Sequence, residues 1–274
     1  MRALISADME GATAVTYPED CMLGTHQFNR MRPMFTGDVN AVALGFFDAG
    51  AQEVLVCEAH GSMRNLILEQ LDPRVRMITG RHKTFSMMEG VQSRPDLVAF
   101  VGYHAPAGGP GILSHTMIGP LLVEARLNGE VMSEGYLNAL LGNEYGTRVA
   151  VVSGDDKTCE DAARYAPSAR GVAVKRAIDR YTADCLHPEV TSALLREAAA
   201  QSAGAARFAP TEPPYVCDAE FSVTSAAAAC AMIPCVDRLD ERRVRMTFTT
   251  VAELYQCFTV VCRVATGAAE QIYG

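Results

Sequence analysis

No block of lysine and arginine, no long apolar run and no Cys-x-x-Cys pair occurs in these 274 residues, and each absence removes a class of function. Lys and Arg are scattered, and the net charge of −8 argues against a nucleic acid or an anionic membrane surface as partner. No stretch approaches the roughly 20 apolar residues that a membrane span needs. The apolar run near the N-terminus stops at Asp8, too short for the core of a signal peptide. The nine cysteines are odd in number, and Cys57, Cys257 and Cys262 lie inside apolar runs. They read as buried free thiols of a reducing cytoplasm rather than a disulfide framework or a zinc–thiolate site. There is no internal repeat and no disordered tract.

What is present is a composition 49% hydrophobic and 20% charged, enough for one large domain or for one large and one small. Short β-type runs recur at Ala3–Ala7, Glu53–Cys57, Leu97–Val101 and Val149–Val152. Between the first two, Met34, Val39, Val42, Ala43, Phe46 and Phe47 fall near helical spacing, predicting a helix over Arg32–Ala49 that stops at Gly50. Strands alternating with helices imply a mostly parallel sheet with helices on both faces. Asn128-Gly129 marks a hairpin within Glu124–Val131, and a helix is expected from Ser133 or Glu134 to about Asn143.

Residues 196–209, rich in alanine, end a helix and lead through Pro210, Pro213 and Pro214 into a connection. Beyond them, Tyr215–Phe221, Ala226–Met232, Val244–Thr249 and Val251–Val264 read strand, helix, strand, helix. The expected organisation is an α/β domain over 1–205 and a smaller α+β domain over 206–274, with part of 106–132 packing with the latter.

The informative pattern lies just past the strands. Asp8 and Glu10 follow the first, His60 the second, His104 the third, and Asp155 with Asp156 the fourth. Open α/β sheets bind ligands outside the carboxyl ends of their strands. Asp, Glu and His delivered there form a donor set suited to zinc or manganese. Glu134, at a helix start, is a further candidate. Each residue has a plain structural reading as well. Asp8 and Glu10 could be a solvated loop, His60 and His104 hydrogen-bonded turn histidines, Glu134 a first-turn carboxylate. For Asp155 and Asp156 the helix cap is the favoured reading. Convergence on one sheet edge is what raises the set above its parts. His26, His82 and His187 lie away from strand ends and read as ordinary surface residues.

Seven short motifs then occur in order: SADMEG at 6–11, His60 after EVLVCEA, FSMMEG at 85–90, VGYHA at 101–105, SHTM at 114–117, SEGYLNA at 133–139 and VSGDD at 152–156. Together they resemble the DppA family of D-aminopeptidases, peptidase family M55, from residue 1 to about 165 and more loosely beyond. The resemblance implies a binuclear hydrolase with two Zn2+ per subunit. It places the metal ligands at Asp8, Glu10, His60, His104 and Glu134, with Asp8 bridging, and the catalytic histidine at His115. Either nucleophile or proton donor is open to His115. It further implies pentameric rings doubled into a homodecamer with an internal chamber. Two positions depart from the family's pattern: Glu58, where Asp is expected, bears on how His60 is oriented, and the run 107–111 reads as a flexible Gly-rich loop. Met87 and Met88 read as packing.

The leading expectation is therefore a cytoplasmic zinc aminopeptidase releasing N-terminal residues, D-residues by resemblance, from small peptides. The alternative is a related amidohydrolase on a β-amino or biosynthetic amide substrate. A metal-dependent phosphoesterase ranks lower, since Arg64 is the one cation near the motifs able to clamp a phosphate. A non-catalytic metal-stapled binding module leaves His115 without a role.

Overall fold

The computed structural model describes residues 1–206 and 212–269. The chain begins β1 (Arg2–Ala7), α1 (Pro18–Cys21), α2 (His26–Asp48), β2 (Glu53–Glu58), β3 (Arg76–Ile78) and β4 (Leu97–Val101). It continues β5 (Leu122–Leu127), β6 (Glu130–Val131), α3 (Glu134–Glu144), β7 (Arg148–Asp155), α4 (Asp156–Tyr165), β8 (Arg170–Asp179) and β9 (Thr182–Cys185). It ends α5 (Pro188–Ala200), β10 (Tyr215–Phe221), α6 (Thr224–Cys230), β11 (Val236–Arg238), β12 (Arg243–Phe248) and α7 (Val251–Ala268).

Two compact units contain these elements. The first comprises 1–105, 110–113 and 138–206, the second 106–109, 114–137 and 212–269. In the first, seven strands stand in the order β3-β2-β1-β4-β7-β8-β9, parallel throughout except for the β8–β9 pair. This is the expected mostly parallel sheet, flanked by helices: α2 packs on β1, β4 and α5, and α4 on β7 and β8. The chain leaves β1 towards β2 and β3, then returns to β1's other side as β4. That reversal opens a crevice at the carboxyl ends of β1 and β4.

Helix α2 shows how the sequence builds the core beneath that crevice. Phe28, Met31, Phe35, Val39, Val42 and Phe46 recur three or four apart and are all buried. The helix begins six residues earlier than the expected Arg32, because Thr25 caps it, its hydroxyl accepting from Phe28 N at 3.0 Å. Pro33, which suits a first turn, lies instead in the helix interior. Val39, Val42, Ala43 and Phe46 are buried as expected, whereas Met34 and Phe47 are only half-buried.

The second unit carries an antiparallel sheet, β11-β12-β10-β5-β6, with α6 and α7 packed together and α7 on β12. The β5–β6 hairpin turns at Asn128 and Gly129, both at positive φ, as expected. Strands β3 and β11, three residues each, carry too little pattern to be read from sequence. The connection expected after α5 falls partly on residues 207–211, outside the described residues. Among the described residues no helix is long and apolar enough to cross a membrane. All nine cysteines are free; six are buried, as expected, but Cys185 and Cys235 are exposed.

Candidate metal centre

The four strand-end residues of the first unit meet. β1 delivers Asp8 and Glu10, β2 delivers His60 and β4 delivers His104. Asp8 Oδ1 lies 3.3 Å from His60 Nδ1, and its Oδ2 lies 3.3 Å from His104 Nε2. Glu10 Oε2 lies 2.8 Å from His60 Nδ1. One carboxylate thus spans two imidazoles, and a second closes on one of them.

The backbone fixes this arrangement by close contact. Asp8 N donates to Val101 O and Gly11 N to Gly102 O, both at 2.8 Å. A Cβ on Gly11 would sit 1.8 Å from Tyr103 O, and one on Gly102 would sit 2.0 Å from Asp8 O. Gly11 is required by this approach of two backbones, more than by the sharp turn that its place after Glu10 suggests. Tyr103, next to His104, is anchored by its hydroxyl, 2.7 Å from both Ser6 Oγ and Asn138 Nδ2.

The imidazoles have defined orientations. His60 Nε2 donates to Cys21 O at 3.0 Å, which leaves Nδ1 facing the carboxylates. His104 Nδ1 donates to Ala105 O at 3.1 Å, which leaves Nε2 facing Asp8. Metal-ligating histidines are commonly oriented in this way, through the ring nitrogen that does not bind the ion. Burial opposes charge on His60, yet the charge and hydrogen bonds of Glu10 and Asp8 outweigh it and hold the imidazole well above its ordinary range. The crevice therefore favours a cation.

Among the described residues no hydrogen bond or ion pair joins the Glu58 carboxylate to His60. That buried carboxylate accepts from Asn65 N at 2.5 Å and Leu66 N at 3.3 Å, while Asn65 Nδ2 donates to His60 O at 2.8 Å. Its effect on His60 runs through the loop that follows the histidine.

Two buried charges that the sequence did not mark hold the segment after Glu10. Lys175, in β8, is 1% exposed and donates to the carbonyls of Glu10 at 2.7 Å, Ala12 at 2.9 Å and Val15 at 2.5 Å. Burial lowers its pKa to about 8, so the ammonium persists at neutral pH. Asp38, in α2, accepts from Thr13 N and Thr13 Oγ1, both at 2.8 Å. Burial raises its pKa to about 6, against the pull of those two bonds. The signal for Lys175 was a lone charge in the apolar run GVAVK.

In the second unit, His115 Nε2 lies 3.8 Å from Glu134 Oε1, and that oxygen accepts from Met117 N at 2.6 Å. Glu134 opens α3, where Ser133 Oγ accepts from Tyr136 N at 3.1 Å.

The remaining residues take structural roles. Asp155 caps α4, its Oδ1 accepting from Thr158 N at 2.7 Å, and Asp156 accepts from Ala177 N. The run 107–111 is pinned, contrary to its flexible appearance. Gly109 N donates to Pro106 O at 3.0 Å, Ser114 Oγ donates to Gly109 O at 2.7 Å, and Ile112 N donates to Asp155 Oδ2 at 2.6 Å. His26 lies exposed at the start of α2, and His187 caps α5.

A carboxylate oxygen from Asp8 and from Glu10 and an imidazole nitrogen of His104 lie within 4.8 Å of one another. Oxygen and imidazole donors this close, in a crevice that favours positive charge, fit a divalent ion of the zinc type. Fold and donor set define a class: α/β enzymes that gather polar side chains at the carboxyl edge of a parallel sheet. Comparison with known proteins gives the family. Residues 1–260 match the profile of peptidase M55, D-aminopeptidase. A D-aminopeptidase of Bacillus subtilis (strain 168) is 31% identical over 271 residues, 97% of this chain and 98% of its own. The solved structure of the Zn-dependent D-aminopeptidase DppA from Bacillus subtilis, described as a self-compartmentalizing protease, matches with a TM-score of 0.94. It is 29% identical, over 98% of this chain and 100% of its own. The chain belongs to the M55 D-aminopeptidase family and is a hydrolase of the aminopeptidase class.

Proposed function

We propose that this chain is a zinc-dependent aminopeptidase that removes D-residues from the N-termini of small peptides, using two zinc ions per subunit. The observation that carries the reading is Asp8, whose two oxygens face two different imidazoles 3.3 Å away. A carboxylate so placed suits the shared ligand of a two-ion centre. Glu10 and His60 would serve one ion and His104 the other. Glu134 joins the set, and His115 acts at the scissile bond, on the strength of the family resemblance. Bound zinc lowers the pKa of water towards about 7 and polarises a carbonyl.

The chain's own groups do the rest. Cys21 O and Ala105 O hold the two imidazole rings, and Lys175 and Asp38 hold the loop that carries Asp8 and Glu10. His115, 18% exposed at its side chain, is available to a substrate. It is assigned to the reacting group either as proton donor to the leaving amine or as nucleophile on the carbonyl carbon. A covalent acyl-enzyme trapped in rapid-quench mass spectra distinguishes the second role from the first. The free α-amino group of the substrate would be recognised by a carboxylate of the site, or by a bound ion when the site is loaded.

The relative described as self-compartmentalizing supports a ring-forming oligomer, and we assign pentameric rings paired into a decamer. The nine free thiols support a cytoplasmic location.

A substrate panel tests the assignment: D-Ala-D-Ala, L-Ala-L-Ala, a β-amino amide and p-nitrophenyl phosphate. Preferential cleavage of the D-peptide is expected. Preference for the β-amino amide would move the chain to the related amidohydrolases, and phosphatase activity without amidase activity would overturn the reading.

A further inference from the structure

Cys21 is the last residue of α1 and is 8% exposed. No hydrogen bond to its thiol is found among the described residues. Its Sγ, a carboxylate oxygen of Glu10 and a nitrogen of His60 all lie within 4.8 Å of one another. Its carbonyl is the acceptor that orients the His60 ring, at 3.0 Å. Residue 21 therefore reaches the centre twice, through its main chain and through its side chain.

Zinc binds thiolate at about 2.3 Å, imidazole at about 2.0–2.1 Å and carboxylate at about 2.0–2.2 Å, so tetrahedral donors stand roughly 3.5 Å apart. The three donors already stand within 4.8 Å of one another, little more than that spacing. We propose that the Cys21 thiol is an additional ligand of the ion held by Glu10 and His60. The inference rests on the metal reading above and adds to it a soft donor. On binding, the S–H bond breaks, the proton passes to water and the sulfur pair goes to the ion; nothing is oxidised or reduced. A thiolate in the set favours zinc, cobalt or cadmium over manganese or magnesium at this position.

Cobalt(II) substitution separates the two claims. The full-length protein is stripped of metal, loaded with cobalt(II) and compared with Cys21→Ser and Cys21→Ala treated alike. The expected result is a near-ultraviolet sulfur-to-cobalt charge-transfer band in the unsubstituted protein that both variants lose, while all three keep the visible bands of bound cobalt. Visible bands without a charge-transfer difference would overturn the role of Cys21 and leave the metal reading standing. No cobalt binding at all would overturn both. X-ray absorption at the zinc edge of the unsubstituted protein gives a check that needs no variant. One sulfur scatterer at about 2.3 Å is expected, and a first shell of oxygen and nitrogen alone would refute the assignment.

Discussion

Lys175 Nζ lies 2.7 Å from the carbonyl oxygen of Glu10, so a buried ammonium holds the backbone of a residue we assign to the metal. Its other two acceptors, Ala12 O and Val15 O, belong to the same loop. Replacing it with Met would leave three buried carbonyls without this donor, at about 1–3 kcal/mol each if no water enters. Lys175→Met is expected to lower unfolding free energy by about 3 kcal/mol or more. In the fraction that folds, zinc affinity should fall about 10- to 100-fold. Denaturant titration and a zinc competition assay measure the two effects. An unchanged zinc affinity would show that the lysine supports only the fold.

Asp38 gives the protein a pH signature. Its folded pKa, about 6, is raised above the ordinary carboxylate value of 3.8. Between those values the native state binds more protons than the unfolded chain, so this group makes stability fall as pH rises. The stabilising contribution is complete below about 3.8 and lost as pH passes about 6, a span worth up to about 3 kcal/mol. Asp38→Asn keeps the shape and removes the titration. The difference in unfolding free energy between the two proteins, measured from pH 4 to pH 7.5, should shift in favour of the variant up to about pH 6 and level off above it. A constant difference across that range would contradict the assignment.

The ligand residues should not be equivalent. Asp8→Ala removes the carboxylate that faces both imidazoles and is expected to abolish binding of both ions. His60→Ala and His104→Ala should each leave about one ion per chain. Metal analysis after dialysis reads this directly, and full occupancy in Asp8→Ala would remove the shared-ligand role.

His115→Ala should lower kcat at least about 10²-fold, the usual worth of a positioned proton-transfer group, with zinc content unchanged. Activity that survives intact would make His115 a structural residue.

Much of this centre is legible in the sequence. Asp8, Glu10, His60 and His104 each follow an apolar run, and parallel strands bring their carboxyl ends to one edge. The helix cap at Asp155 was legible too, because a carboxylate pair after a strand and before a helix has few other uses. Lys175 was not, since a single charge in a strand gives no hint that three carbonyls lie across from it. Cys21 was hidden for a related reason: its approach to Glu10 and His60 depends on a loop path that no periodicity encodes. The need for Gly11 is not legible either, because the carbonyl of Tyr103 where a Cβ would stand is a tertiary contact more than ninety positions along the chain. The early start of α2 rests on the cap at Thr25, and Pro33, which suits a first turn, gives no sign of it.

The most direct measurement is hydrolysis of D-Ala-D-Ala by the purified protein before metal removal, after it, and after zinc is restored to about two ions per chain. The account predicts that activity vanishes on stripping and returns with zinc, levelling off near two equivalents. Full activity in the metal-free protein would contradict it.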